Sequence, residues 1–196
     1  MIFYLSVIAI ADALLMALNL HFNWLGISAL RTVVVLLVQP VALIAIDGGA
    51  AWIVRWLLPA RWLSYKVRFH RVSAEECRLY ERLGIKRWKD KVLELGMFTS
   101  FSKKSVVQPE NRAYIERFIL ECNAGAWGHM LGIIGGYLLV CAFPRSYAPC
   151  IVIPAATVNA FLSLLPYMIL RYNLPRLHRL RDLLEKKEAR DAAYRT

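Results

Sequence analysis

Four apolar runs, Ile2 to Leu20, Thr32 to Leu58, Ala126 to Phe143 and Ala148 to Leu170, decide what this chain can become. Each is long enough to cross a hydrocarbon core of roughly 30 Å as a helix. Inside a bilayer no water satisfies backbone amides, and a helix satisfies them within itself. The predicted class is all-α: a polytopic membrane protein with four transmembrane helices, one integral membrane domain over residues 1–196. A chain that is 58% hydrophobic yet carries a net charge of +11 must also segregate its charges from its apolar runs.

It does. Of the 25 Lys and Arg, all but Arg31, Arg55 and Arg145 lie between Arg61 and Arg117 or from Arg171 onward. The positive-inside rule then predicts a multi-pass cell-membrane protein with both termini cytoplasmic, a basic cytoplasmic segment at 59–120 and a basic helical tail at 171–196. The first run has no basic residues before it and contains Asp12, which predicts an uncleaved helix rather than a signal peptide. The charge suits anionic lipid head groups. No nucleic-acid-binding pattern accompanies it, so the expected partners are membrane lipids and not nucleic acid. Cys77, Cys122, Cys141 and Cys150 show no metal-ligand spacing and predict no metal site. Small buried apolar residues is their expected role, with a Cys141–Cys150 bridge across the second outer connection as the alternative.

Within the runs, Pro40 and Asp47-Gly48-Gly49 predict an opening of the second span at mid-depth. Gly128, Gly132 and Gly136, spaced by four, predict close approach of another helix. In the basic segment, Ser73 and Glu76 fit a capping box. Ile85, Trp88, Val92 and Leu95 recur at helical spacing opposite lysines and arginines. They predict an interfacial amphipathic helix lying flat under the inner leaflet, with Trp88 at head-group depth. Pro109 is expected in the first turn of the helix leading into the third span.

Soluble-enzyme signatures are missing: no Gly-rich phosphate loop, nucleophile elbow, metal-spaced His pair or HxxxxD box occurs. The richest stretch is Arg171-Tyr172-Asn173-Leu174-Pro175-Arg176-Leu177, directly after the fourth apolar run. An arginine fork beside hydrocarbon needs a carboxylate or phosphate partner, although a positive stop at the membrane boundary is the plainer reading. Pro175 predicts a break that redirects the chain into its tail. Topology puts His129, Tyr172 and Asn173 at one membrane depth, and Glu121 lies about 80° from His129 around a helix. Near-neutral titration makes His129 a candidate general base; a structural histidine bonded to a neighbouring carbonyl is the alternative. Asp12 and Asp47 sit inside apolar spans, where a carboxylate is expensive. Each either meets a substrate or serves locally, Asp47 as the cap of a helix break.

Three segments resemble the glycosyl-4,4'-diaponeurosporenoate acyltransferase family, small membrane proteins of bacterial carotenoid synthesis. Residues 171–177 are similar to its R-Y-N-R-P-R-L. Gly84 to Lys91 resembles a W-K-centred motif, and Phe101-Ser102-Lys103-Lys104 an aromatic and basic patch that follows. Glu121 and His129 match the ends of E-T-x-R-A-E-x-x-H, whose Arg and second Glu are replaced by Ala124 and Ala126. Leu170 stands where the family often has Gln, and Leu174 replaces a basic residue.

The resemblance implies a membrane acyltransferase that esterifies a hydroxyl of a glycolipid or glycosylated isoprenoid such as an apocarotenoid glycoside. His129 and Glu121 are the implied catalytic residues, with His129 as base. Arg171, Tyr172, Asn173, Arg176, Trp88, Arg87, Lys103, Lys104 and Asp47 are the expected substrate contacts. No resident cofactor is implied; acyl-CoA or another activated acyl group is the expected co-substrate, and the glycosylated lipid acceptor and the acyl donor are the expected partners. A non-catalytic lipid-binding or assembly protein built on the same frame is the alternative. A small transporter fits less well, because the embedded polar groups are too few to outline a pathway.

Overall fold

The computed structural model describes residues 2–64, 67–92 and 106–194. Its helices are α1 (Ile2–Phe22), α2 (Ala29–Trp56), α3 (Ala60–Leu63), α4 (Ala74–Arg82), α5 (Ile85–Trp88), α6 (Arg112–Leu138) and α7 (Ile153–Ala193). Short 3-10 turns cover Arg68–His70, Lys89–Lys91 and Leu139–Ala142, and a π-helical turn at Ala148–Val152 leads into α7. No strand occurs among the described residues. Helices α1, α2, α6 and α7 are long and apolar enough to cross a membrane, as the four apolar runs require. The chain packs as two units, Met1–Trp56 with Gly128–Leu164, and Leu57–Trp127 with Leu165–Thr196.

In the first unit, α1 ends where Asn23 (φ 45°) and Gly26 (φ 60°) turn the chain back, the Gly26 amide donating to the Asn23 carbonyl at 3.0 Å. Leu15, Leu36, Leu43, Ile151 and Ala155 form the core. Asn19, buried on α1, donates to the Leu15 carbonyl at 2.8 Å and across to the Cys150 carbonyl at 3.1 Å. The glycine stripe packs as its spacing predicts. A Cβ placed on Gly128, Gly132 or Gly136 would meet Ala51, Asp47 or Leu43, so the two helices approach in antiparallel register.

The second unit is built around Ile115, Phe118, Ile119 and Cys122 of α6, packed on Leu170, Leu174 and Leu177 of α7. A smaller cluster joins Tyr80 and Ile85 to Met168 and Tyr172. Ser73 caps α4, accepting from the Glu76 amide at 3.0 Å. Arg112 ties α6 to the tail of α7 through Glu188 at 3.1 Å.

Four local expectations are corrected. Helix α2 runs unbroken through Asp47-Gly48-Gly49, because an opening in apolar surroundings would orphan several backbone groups at several kcal/mol each. Two glycines cost a helix only about 1 kcal/mol each. Helix α7 continues through Pro175 to Ala193 instead of breaking there. A proline costs a helix interior about 3 kcal/mol. Burial of Leu170, Leu174 and Leu177, at roughly 1.5–3 kcal/mol each, outweighs it. The flat helix expected from Ile85 to Leu95 stops at Trp88. A 3-10 turn follows and Val92 is extended, while Leu95 lies outside the described residues. The Trp88 indole donates back to the Leu83 carbonyl at 3.0 Å, and its ring packs on the Tyr80–Tyr172 cluster. Pro109 sits in a turn before α6, and Asn111 caps that helix by accepting from the Tyr114 amide at 3.1 Å.

Candidate functional site

Arg171 organises the second unit. The residue is 6% exposed, and its guanidinium lies 5.5 Å from the centre of the Phe69 ring and 5.6 Å from that of Tyr167. Nε and Nη2 grip the two oxygens of Glu76, the second at 2.8 Å. Nη1 donates to the Phe69 carbonyl and Nη2 also to the Arg71 carbonyl at 3.2 Å. The fork is thus filled by Glu76 and two carbonyls. A planar donor set is what such a three-way junction requires.

Glu76 reaches this clamp because the Ser73 cap starts α4 three residues earlier. The Tyr80 hydroxyl, one turn on, adds a hydrogen bond to Glu76 Oε1 at 2.5 Å. Burial pushes the Glu76 carboxyl upward. The Arg171 fork, the Tyr80 hydroxyl and the Ser73 backbone together prevail and hold it below its ordinary 4.5. Tyr80 is pushed up in turn, by burial first and then by the carboxylate it donates to.

Tyr172, buried on α7, donates to Glu81 at 2.9 Å, and Glu81 pairs with Lys86 at 2.8 Å. The Arg176 guanidinium lies over the Tyr172 ring at 5.5 Å. Trp88 packs against the same ring cluster, Arg87 is exposed beside it, and Asn173 is half-buried on α7. The structure therefore gathers Arg171, Tyr172, Arg176 and Trp88 in one unit, and Glu121 is half-buried in that unit as well.

His129 and Asp47 belong to the first unit. His129 is half-buried on α6, and Asp47 accepts from Asn159 at 3.3 Å. Asp12 lines a cavity of about 30 Å³ with Gln39 and Asn159, room for about one water molecule. Lys103 and Lys104 lie outside the described residues. Among the described residues no three His, Cys, Asp or Glu side chains gather to hold a metal ion. None of the four cysteines forms a disulfide, so Cys141 and Cys150 are not bridged.

The sequence reading missed His70. It is buried in an aromatic nest, with the Trp127 and Phe69 rings tilted against each other at 4.5 Å. Its Nε2 lies 2.8 Å from the Trp62 carbonyl and 3.2 Å from the Trp127 indole nitrogen. Burial, aided by the Arg171 charge and opposed by the Trp62 carbonyl, holds His70 below 6.5 and therefore neutral at pH 7. With the proton on Nε2 for the Trp62 carbonyl, Nδ1 keeps a lone pair, and this buried atom has no hydrogen-bond partner among the described residues.

A family model described as Glycosyl-4,4'-diaponeurosporenoate acyltransferase matches residues 59–183. No curated protein and no solved structure matches the chain.

Proposed function

The chain belongs to the glycosyl-4,4'-diaponeurosporenoate acyltransferase family. From that premise we propose that this membrane acyltransferase esterifies a sugar hydroxyl of a glycosylated carotenoid or related glycolipid, with His129 as general base. The observation that carries the reading is the family match itself. It covers α3 to α5, the Arg171–Leu177 stretch and the helix that bears His129.

In the proposed step, His129 takes the hydroxyl proton as the sugar oxygen attacks the acyl carbonyl. The tetrahedral intermediate then collapses, forming the ester bond and breaking the bond to the donor's leaving group, which receives the proton from the imidazolium. Glu121, the other surviving member of the acid–base pattern, is the proposed partner in handling that proton. Arg171 acts as a positioning residue, because its donors are committed to Glu76, Phe69 and Arg71. Tyr172, Asn173, Arg176, Trp88 and Arg87 are the proposed substrate-facing residues of the second unit, and Lys103 and Lys104 the proposed attractors of an anionic donor. Asp47 is proposed to steady the acceptor within the spans. Both termini, the basic segment and the tail are proposed to face the cytoplasm.

The test is turnover of His129→Ala and His129→Gln in purified protein. His129→Ala should lower turnover by about 10²–10⁴-fold with lipid binding and melting temperature retained, and His129→Gln should not restore it. Full activity in His129→Gln would reduce His129 to a structural hydrogen bond. Lipid binding without turnover in the unaltered protein would favour the non-catalytic reading instead.

A further inference from the structure

The second unit holds a groove that the acid–base pattern does not account for. It measures about 360 Å³ and is lined by His70, Arg71 and Val72 from one segment and by Leu174, Pro175, His178 and Arg181 from α7. That volume is near the low end of the roughly 300–1,000 Å³ typical of small-molecule sites. The clamp described above builds one wall, since Arg171 holds the Phe69 and Arg71 carbonyls and so fixes the backbone on either side of His70. Helical spacing builds the other, residues 174, 178 and 181 recurring on one face of α7.

The lining chemistry is selective. Val72, Leu174 and Pro175 make an apolar floor, with two guanidiniums and two imidazoles around it. Arg71 is exposed and enters no ion pair among the described residues. Arg181 shares its Nε and Nη2 with Asp182 Oδ1 at 3.0 and 2.7 Å. Such a pairing with an exposed neighbour is weak, and a phosphate anion competes with it.

We propose that this groove binds a phosphate group, with Arg71 and Arg181 meeting its charge. Two sources share that chemistry: the diphosphate of a coenzyme A thioester, and the head group of an anionic phospholipid. As the seat of an acyl donor the groove rests on the function proposed above; as a phosphate site it stands without it.

The experiment titrates coenzyme A and inorganic pyrophosphate into the full chain in phosphatidylcholine nanodiscs, and repeats the titration with phosphatidylglycerol added. Arg71→Gln and Arg181→Gln should each weaken binding about tenfold, the scale of one charge-assisted hydrogen bond, with melting temperature unchanged. Loss of coenzyme A binding when phosphatidylglycerol is present identifies the head group as the natural ligand, and retention identifies the donor; both support a phosphate site. Failure of all three probes to bind the unaltered protein, or equal affinity in both variants, overturns it. Ester formation measured on the same samples keeps the two ideas apart. Phosphate binding that depends on Arg71 without any ester spares the groove and removes the reaction, whereas ester formation with binding indifferent to both variants does the reverse.

Discussion

Replacing Arg171 with lysine separates a structural clamp from an open anion receptor. Lysine keeps the charge and one contact to Glu76, but a single ammonium cannot span the carboxylate and the Phe69 and Arg71 carbonyls together. An unsatisfied buried acceptor costs about 1–3 kcal/mol, and these two carbonyls are partly buried, so the low end applies to each. Arg171→Lys should therefore destabilise by about 2–3 kcal/mol in all. Arg171→Ala, which also strands the Glu76 carboxylate, should cost about 3–5 kcal/mol. At about 2–4 °C per kcal/mol for a chain of this size, the lysine variant should melt about 5–10 °C lower. Thermal unfolding in detergent measures this, and hydrogen exchange of residues 68–72 should rise in parallel because their carbonyl anchors are gone. Melting within 1 °C of the unaltered protein, with exchange unchanged, would refute the clamp.

Other outcomes follow from the same geometry. Gly132→Ala drives a methyl into Asp47 Oδ1 and should destabilise by about 1–3 kcal/mol, with Asp47→Ala relieving most of the loss; no rescue would mean the helices separate for another reason. Because Glu76 titrates below its ordinary 4.5 in the folded chain, its contribution is fully present above that value and drains away as pH falls beneath it. Melting curves from pH 6 to 3 should show this acid limb, and Glu76→Gln should be less stable at pH 6 with a flatter limb. For topology, a cysteine at Asn23 should react with an impermeant thiol reagent from outside, and Cys77 after permeabilisation alone; labelling of both from one side would contradict the proposed orientation.

The spans were legible because burial in hydrocarbon leaves an unambiguous composition, and the glycine stripe because only small residues let backbones approach so closely. The Ser73 cap was legible for the same local reason. What the sequence hid was pairing at long range. Glu76 read as a capping residue, yet its carboxylate serves Arg171 from 95 positions away, and local spacing carries no trace of that. His70 drew no attention in the sequence, because its burial depends on Trp62 of α3 and Trp127 of α6 being brought to it by the fold. Asn159 did carry a signal, a polar side chain in an apolar run, of the kind that singled out Asp12 and Asp47. Pro175 and Gly48-Gly49 misled because local breaking tendencies of a few kcal/mol lose to burial of α7 leucines and to the cost of unpaired backbone in α2.

Purified protein in nanodiscs, incubated with an isotopically labelled acyl-CoA and a glycosylated carotenoid acid, addresses the central claim, with products followed by mass spectrometry. A labelled acyl ester on the sugar, formed in proportion to enzyme and abolished by His129→Ala in a variant that still melts normally, is the predicted result. No ester from correctly folded protein across short and long acyl donors would contradict it.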